Sequence, residues 1–122
     1  IYNTHWDHQS QPARVKSALL MIEKIKSRKH KDTPYILMGD LNATLKNPAV
    51  KSLLANGFLK DHGENKYRSS SMWKPDLVPG LRIDHIFTSP YFEKADFEVD
   101  SNAANKDWSG SDHHPVVLRL KE

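Results

Sequence analysis

The sequence contains no cysteine in its 122 residues. This excludes a disulfide framework and a thiolate metal site, so any metal must be held by oxygen or imidazole. Long apolar runs are missing too: nothing approaches the roughly 20 residues of a bilayer-crossing helix, and the chain reads as soluble and not integral to a membrane. Neither sign of charge dominates. Eighteen Lys and Arg against 15 Asp and Glu leave a net charge of +3, too mild to identify a nucleic-acid binder by itself. Internal repeats and low-complexity tracts are also absent, and the length suits one domain that would bury roughly two-thirds of its unfolded surface.

The local patterns present alternate strands and helices. "IYNT" reads as a strand end. In "SQPARVKSALLMIEKIKSRKHK", Val15, Ala18, Leu19, Ile22 and Ile25 fall at helical spacing, which predicts one buried stripe, with Ser10 as N-cap, Pro12 in the first turn and a basic outer face. "PYILMGD" is a continuous apolar run short enough to be a strand buried on both faces. Asn47 caps a second helix, "PAVKSLLA", with Gly57 just past its end. From Phe58 to Gly80 the pattern dissolves into a polar loop that carries Tyr67, Met72 and Trp73. "LRIDHIFTSPYF", "DFEVD" and "VVLRL" then read as strands. Such interleaving predicts a layered α/β (α+β) arrangement.

Four short polar knots stand beside the apolar runs: "NTHWDH", "GDLNAT", "RIDHIF" and "GSDHHP". Singly, each has a plain explanation as turn residues or a structural histidine. At successive strand ends they can be aimed by a rigid sheet into one cleft. Together they offer carboxylates, amides and imidazoles with no nucleophile-elbow serine. That set suits divalent-metal hydrolysis of a phosphate ester, with Mg2+ or Mn2+ favoured over zinc.

In order and approximate spacing, "NTHWDH", "GDLNAT", "RIDHIFTS" and "SDHHPVV" resemble the later half of the endonuclease/exonuclease/phosphatase superfamily, whose usual forms are NTHxD, GDFNA, (R)IDYIF and SDHxPV. The resemblance covers Ile1 to Leu120 and implies a deoxyribonuclease I-like fold. Residues 1–122 would then be the C-terminal half of a four-layer α/β/β/α sandwich, with a mixed, mostly antiparallel sheet and helices on one face. It also implies roles. Asp40 and Asn42 would position and activate the attacking water, and His113 would bind the scissile phosphate. Asp84 would orient the His113 ring, and His5 would contact phosphate or assist the departing oxygen. Asp112 and Asp40 would be metal ligands. Asp7, His8 and Arg14 match the "NTHWDH…AR" form of a bacterial subgroup, making Asp7 and Arg14 candidates for substrate contact beside turn stabilisation. Trp73, like Tyr67 and Trp108, would be available to stack on bases or sugars, and Arg82 is expected to anchor a loop.

The family's earlier half normally brings an Asn and a metal-binding Glu, and no such motif occurs here; Glu23 lies in an amphipathic helix pattern and does not take that role. The expectation is therefore a chain whose N-terminal half is absent, which either self-associates or pairs with that half. Its activity alone would be doubtful. Two rivals remain: a non-catalytic binding or assembly fragment, and a metallo-β-lactamase-type zinc hydrolase, whose HxHxDH motif differs from "NTHWDH" by Asn3 in place of the first histidine. The substrate would be a phosphate ester of nucleic acid, phospholipid headgroup or small molecule. The loop from Phe58 to Gly80 carries Lys60, Lys66, Arg68 and Lys74 against Asp61, Glu64 and Asp76, which does not advertise a DNA groove. A bacterial-like protein, cytoplasmic or secreted, fits this pattern.

Overall fold

Residues 1–63, 66–101 and 110–121 are described by the computed structural model. Strand β1 (Tyr2–His5) leads through helix α1 (Gln11–Lys26) to strand β2 (Ile36–Asp40). β1 and β2 pair in parallel, so α1 is the crossover that a parallel pair requires. The helix starts where the sequence pattern places it: Ser10 is extended, its hydroxyl accepts from Ala13 N at 3.2 Å, and Pro12 follows in the first turn. Helix α2 (Pro48–Leu54) begins in the same way, with the Asn47 side chain accepting from Ala49 N. Strands β3 (Lys60–Asp61) and β4 (Asp84–Thr88) complete a four-stranded sheet of order β1-β2-β4-β3, β4 running antiparallel to both neighbours. Strands β5 (Ala95–Val99) and β6 (Val116–Leu120) form a separate antiparallel pair. The two-residue β3 lies in a stretch expected to be loop.

Side chains alternate across a sheet, and paired residues project to the same face. One face of the larger sheet therefore carries Leu37 and Phe87, which join Ala18 and Ile25 of α1 and Ala49, Val50 and Leu53 of α2 in the buried core. Both helices pack on this side. The opposite face carries His5, Met38, Asp40, Asp84 and Ile86 by register.

The sequence pattern misjudges burial in two places. Val15 and Leu19 are not in the buried stripe, Leu19 being 59% exposed. The seam runs through Ala18, Met21, Ile22 and Ile25, and at about 100° per residue Val15 and Leu19 fall on its margin. β2 is buried on one face only, because Leu37 faces the helices while Met38, 36% exposed, faces the half-covered side. Arg82 does anchor the loop, and more deeply than a surface reading expects. It is fully buried, ion-paired with Asp61, with its guanidinium 4.3 Å above the Phe97 ring.

Candidate active site

Strand register builds the centre of the site. His5 pairs with Asp40, and Asp40 pairs with Asp84, so three polar side chains from three strands stand in one row on the same face. Gly39 makes the row possible. Its φ is +149°, and a Cβ there would lie 1.8 Å from the Thr4 carbonyl oxygen, so only glycine lets β1 approach this closely. The Asp40 carboxylate is then fixed from both sides. Its Oδ1 accepts from Asn42 N at 2.8 Å, and its Oδ2 lies 3.5 Å from His5 Nε2 and 3.8 Å from His113 Nε2. Asn42 has φ +47°, which asparagine tolerates better than most residues, and its Nδ2 donates to Trp6 O at 2.7 Å.

His113 enters this row from the loop before β6. Its Nδ1 meets Asp84 Oδ2 at 2.6 Å, which leaves Nε2 turned toward Asp40. Partial burial works against charge on the ring. The hydrogen bond to Asp84 and the charges of Asp84, Asp40 and Asp112 outweigh it, and the His113 pKa lies above the ordinary value. The imidazolium therefore persists to higher pH than in water, with Nδ1–H held by Asp84 and Nε2–H available.

Three serines position this pair, and sequence reasoning passed them over. The buried Ser69 hydroxyl accepts from both Ile83 N and Asp84 N, at 2.9 and 3.0 Å, fixing the start of β4. Ser70 forms an isolated bridge with His113, and the Ser71 hydroxyl donates to Ser111 O at 3.1 Å. In sequence they are a run of small polar residues in a loop, with no spacing that distinguishes them from an ordinary turn.

The other expected residues lie outside this cluster. Asp112 is exposed and is tied in through its backbone, its carbonyl accepting from Ser71 N and Met72 N. Its charge still acts on His113. Asp7 and Arg14 build the turn after β1. Asp7 Oδ1 accepts from Gln9 N and Ser10 N, and these bonds lower its pKa; Arg14 donates to the Asp7 carbonyl and to Gln11. His8 is exposed and Tyr67 bridges Pro79. Trp73 sits at an exposed turn, and Trp108 lies outside the described residues.

The donor atoms of Asp40, Asp84 and His113 all lie within 4.8 Å of one another, the candidate metal group among the described residues. Two carboxylates without a thiolate suit a hard divalent cation, which typically binds one or two protein carboxylates and fills its remaining positions with water and substrate oxygens. By donor chemistry Asp40 and Asp84 fit such an ion, whereas the imidazolium of His113 has no lone pair to offer it.

The profile of the Endonuclease/Exonuclease/phosphatase family matches residues 2–113. A family protein of that type from Bacteroides thetaiotaomicron is 33% identical, with a TM-score of 0.82 over 97% of this chain and 47% of its own. A mannosyl-6-phosphatase from the same species is 31% identical, with a TM-score of 0.80 over 98% of this chain and 50% of its own. A Staphylococcus aureus beta toxin with bound magnesium ions is 20% identical, with a TM-score of 0.68 over 98% of this chain and 52% of its own, a likeness of fold alone. The chain thus spans about half the length of these solved structures. No curated protein matches it.

Proposed function

This chain belongs to the endonuclease/exonuclease/phosphatase family, and from that premise we propose that it is the C-terminal, phosphate-binding half of a divalent-metal-dependent phosphoric ester hydrolase. The observation that carries the reading is the meeting of Asp40, Asp84 and His113, far apart in sequence, at one end of one sheet. Asp40 and Asp84, the carboxylates of that group, would hold Mg2+ or Mn2+, which supplies positive charge to the phosphoryl oxygens when bound, while the exposed Asp112 adds negative charge beside His113.

The chain's own groups then divide the work. His113 Nε2–H donates to a phosphoryl oxygen and offsets the charge that develops there, while Asp84 holds the ring by Nδ1 and fixes its orientation. Asp40 Oδ2 orients the attacking water and takes its proton as the water oxygen bonds to phosphorus. Asn42 supports Asp40 through its backbone N–H, and its side-chain amide would donate its remaining N–H to the phosphoryl group. His5, at the exposed rim 3.5 Å from Asp40, would contact the phosphate from the water's side, and as the ester P–O bond breaks the departing oxygen takes its proton from solvent water. The similarity to a mannosyl-6-phosphatase supports placing phosphomonoesters first among substrates to be tried. The test is Mg2+-dependent hydrolysis of p-nitrophenyl phosphate, bis(p-nitrophenyl) phosphate and plasmid DNA by the full-length gene product. Hydrolysis that His113→Ala leaves untouched would show the site to be elsewhere.

A second reading, as an assembly surface, is favoured by the face that bears the site. Met38 is exposed, and Ile86 is only half-buried. Apolar positions around a polar centre suit cover by a complementary N-terminal half or, in its absence, by a second copy. A monodisperse monomer of this chain in sedimentation, with cooperative melting, would count against it.

A further inference from the structure

Beside the His113 loop is a feature that the hydrolytic chemistry does not use. Met72 and Trp73 are consecutive non-glycine residues with φ of +54° and +67°, a conformation side chains rarely adopt and one that persists only where the surroundings impose it. The surroundings here are the site itself. On one flank, Ser71 N and Met72 N donate to Asp112 O at 2.6 and 3.2 Å, and Lys74 N closes the turn on Ser71 O. On the other, His114 Nε2 meets Asp76 O at 3.1 Å. The turn is therefore clipped at both ends to the segment that carries His113. Yet the two side chains it displays are not packed away: Trp73 is 58% exposed and Met72 65%. A large, rigid indole left in water on a strained and doubly fastened turn loses little conformational freedom when a ligand covers it.

We propose that Trp73 is a stacking platform that selects phosphate esters whose alcohol carries a ring with a stackable face, so that the ring lies on the indole while the phosphate lies against His113. This rests on the phosphoesterase reading above and names the class of leaving group that reading leaves open. Trp73 is a specificity-determining residue and takes no part in bond making. A hexose presents an apolar ring face and a nucleobase a π-face. Either can stack on an indole, and a glycerol chain can do neither.

The experiment measures kcat/KM of the full-length gene product, with Mg2+, for glucose 6-phosphate, AMP and glycerol 3-phosphate. A preference of about tenfold for at least one ring ester over glycerol 3-phosphate is expected, within the range of base–aromatic stacking and residing in KM. Trp73→Ala should bring that ratio close to one, and Trp73→Phe should keep most of it. A preference for glucose 6-phosphate assigns the ring to a sugar, and a preference for AMP to a base. A ratio unchanged in Trp73→Ala, or near one in the wild type, overturns the platform and leaves the phosphoesterase reading standing. If no phosphate ester is turned over, that reading fails and takes this one with it.

Discussion

Asp84 and His85 are adjacent on β4 and face opposite sides of the sheet, and two histidines on those sides are held in opposite states. His85 is buried beneath the helices, stacked on Phe87 with ring centroids 5.1 Å apart, and its Nε2 meets Ala43 O at 2.8 Å. Burial, with Arg82 nearby, pushes its pKa down to about 4 against the bond to Ala43. It is a neutral donor that closes a backbone carbonyl. His113, on the other side, meets the carboxylates of Asp84 and Asp40, and its pKa is raised. The same side chain is kept neutral where it meets an apolar face and one carbonyl, and is drawn toward its charged form where it meets a row of carboxylates. Counting histidines in the sequence cannot separate the two cases. Strand register can.

The largest expected break in this comparison is at His113. His113→Ala should reduce kcat about 10²- to 10⁴-fold, the usual contribution of a positioned proton-bearing group, whereas His85→Gln should act on stability. Comparable losses of kcat from both would erase the distinction. Next comes Gly39→Ala, which forces a Cβ onto the Thr4 carbonyl oxygen. It should lower the unfolding free energy by about 3 kcal/mol, as severe steric or backbone lesions do, and disperse the row of His5, Asp40 and Asp84. A wild-type denaturant midpoint for this variant would show that β1 does not depend on the close approach.

The pH dependence of stability sharpens the contrast because the two histidines act with opposite sign. For His85 the folded pKa of about 4 lies below the unfolded value near 6.5. Its contribution is intact above pH 6.5 and is lost as pH falls toward 4, up to about 3 kcal/mol at 1.36 kcal/mol per unit. For His113 the folded pKa is raised, so its contribution is complete below about pH 6.5 and fades as pH rises through the folded value. Denaturant titrations across pH should lose the acid slope in His85→Gln and the neutral-to-alkaline slope in His113→Ala. Slopes that survive both substitutions would assign the titration to other groups. The smallest effect is expected at Ser69→Ala, which removes the hydroxyl acceptor of the part-buried Ile83 and Asp84 N–H groups and, with water able to take its place, should cost about 1 kcal/mol. Unchanged melting would mean that these groups find another acceptor.

Much of this arrangement is legible in the chain. Ser10 and Asn47 announce both helix starts, and the apolar runs mark the strands that carry Asp40 and Asp84. What local pattern cannot show is partnership. Nothing in "PYILMGD" reveals that Leu37 has helices above it and that Met38 does not, so a strand buried on both faces was the natural expectation. Val15 and Leu19 satisfy helical periodicity while lying beyond the seam that α2 and the sheet cover. The serines at 69–71 are silent for the same reason: their work is to hold strand ends and loops distant in sequence, and small polar residues look alike whether or not they have such partners. The carboxylates of Asp7 and Asp40 stand in equally polar stretches, yet one caps its own turn and the other faces two imidazoles.

Whether Asp40, Asp84 and His113 form one metal-assisted, phosphate-facing site can be read by adding substoichiometric Mn2+ to isotope-labelled protein and following paramagnetic broadening of the side-chain resonances. The His113 ring and the Asp40 and Asp84 carboxyls should broaden first, with His85, on the far face of the sheet, affected much less. Broadening centred on His85 or on the turn at Asp7, or none near His113, would contradict such a site.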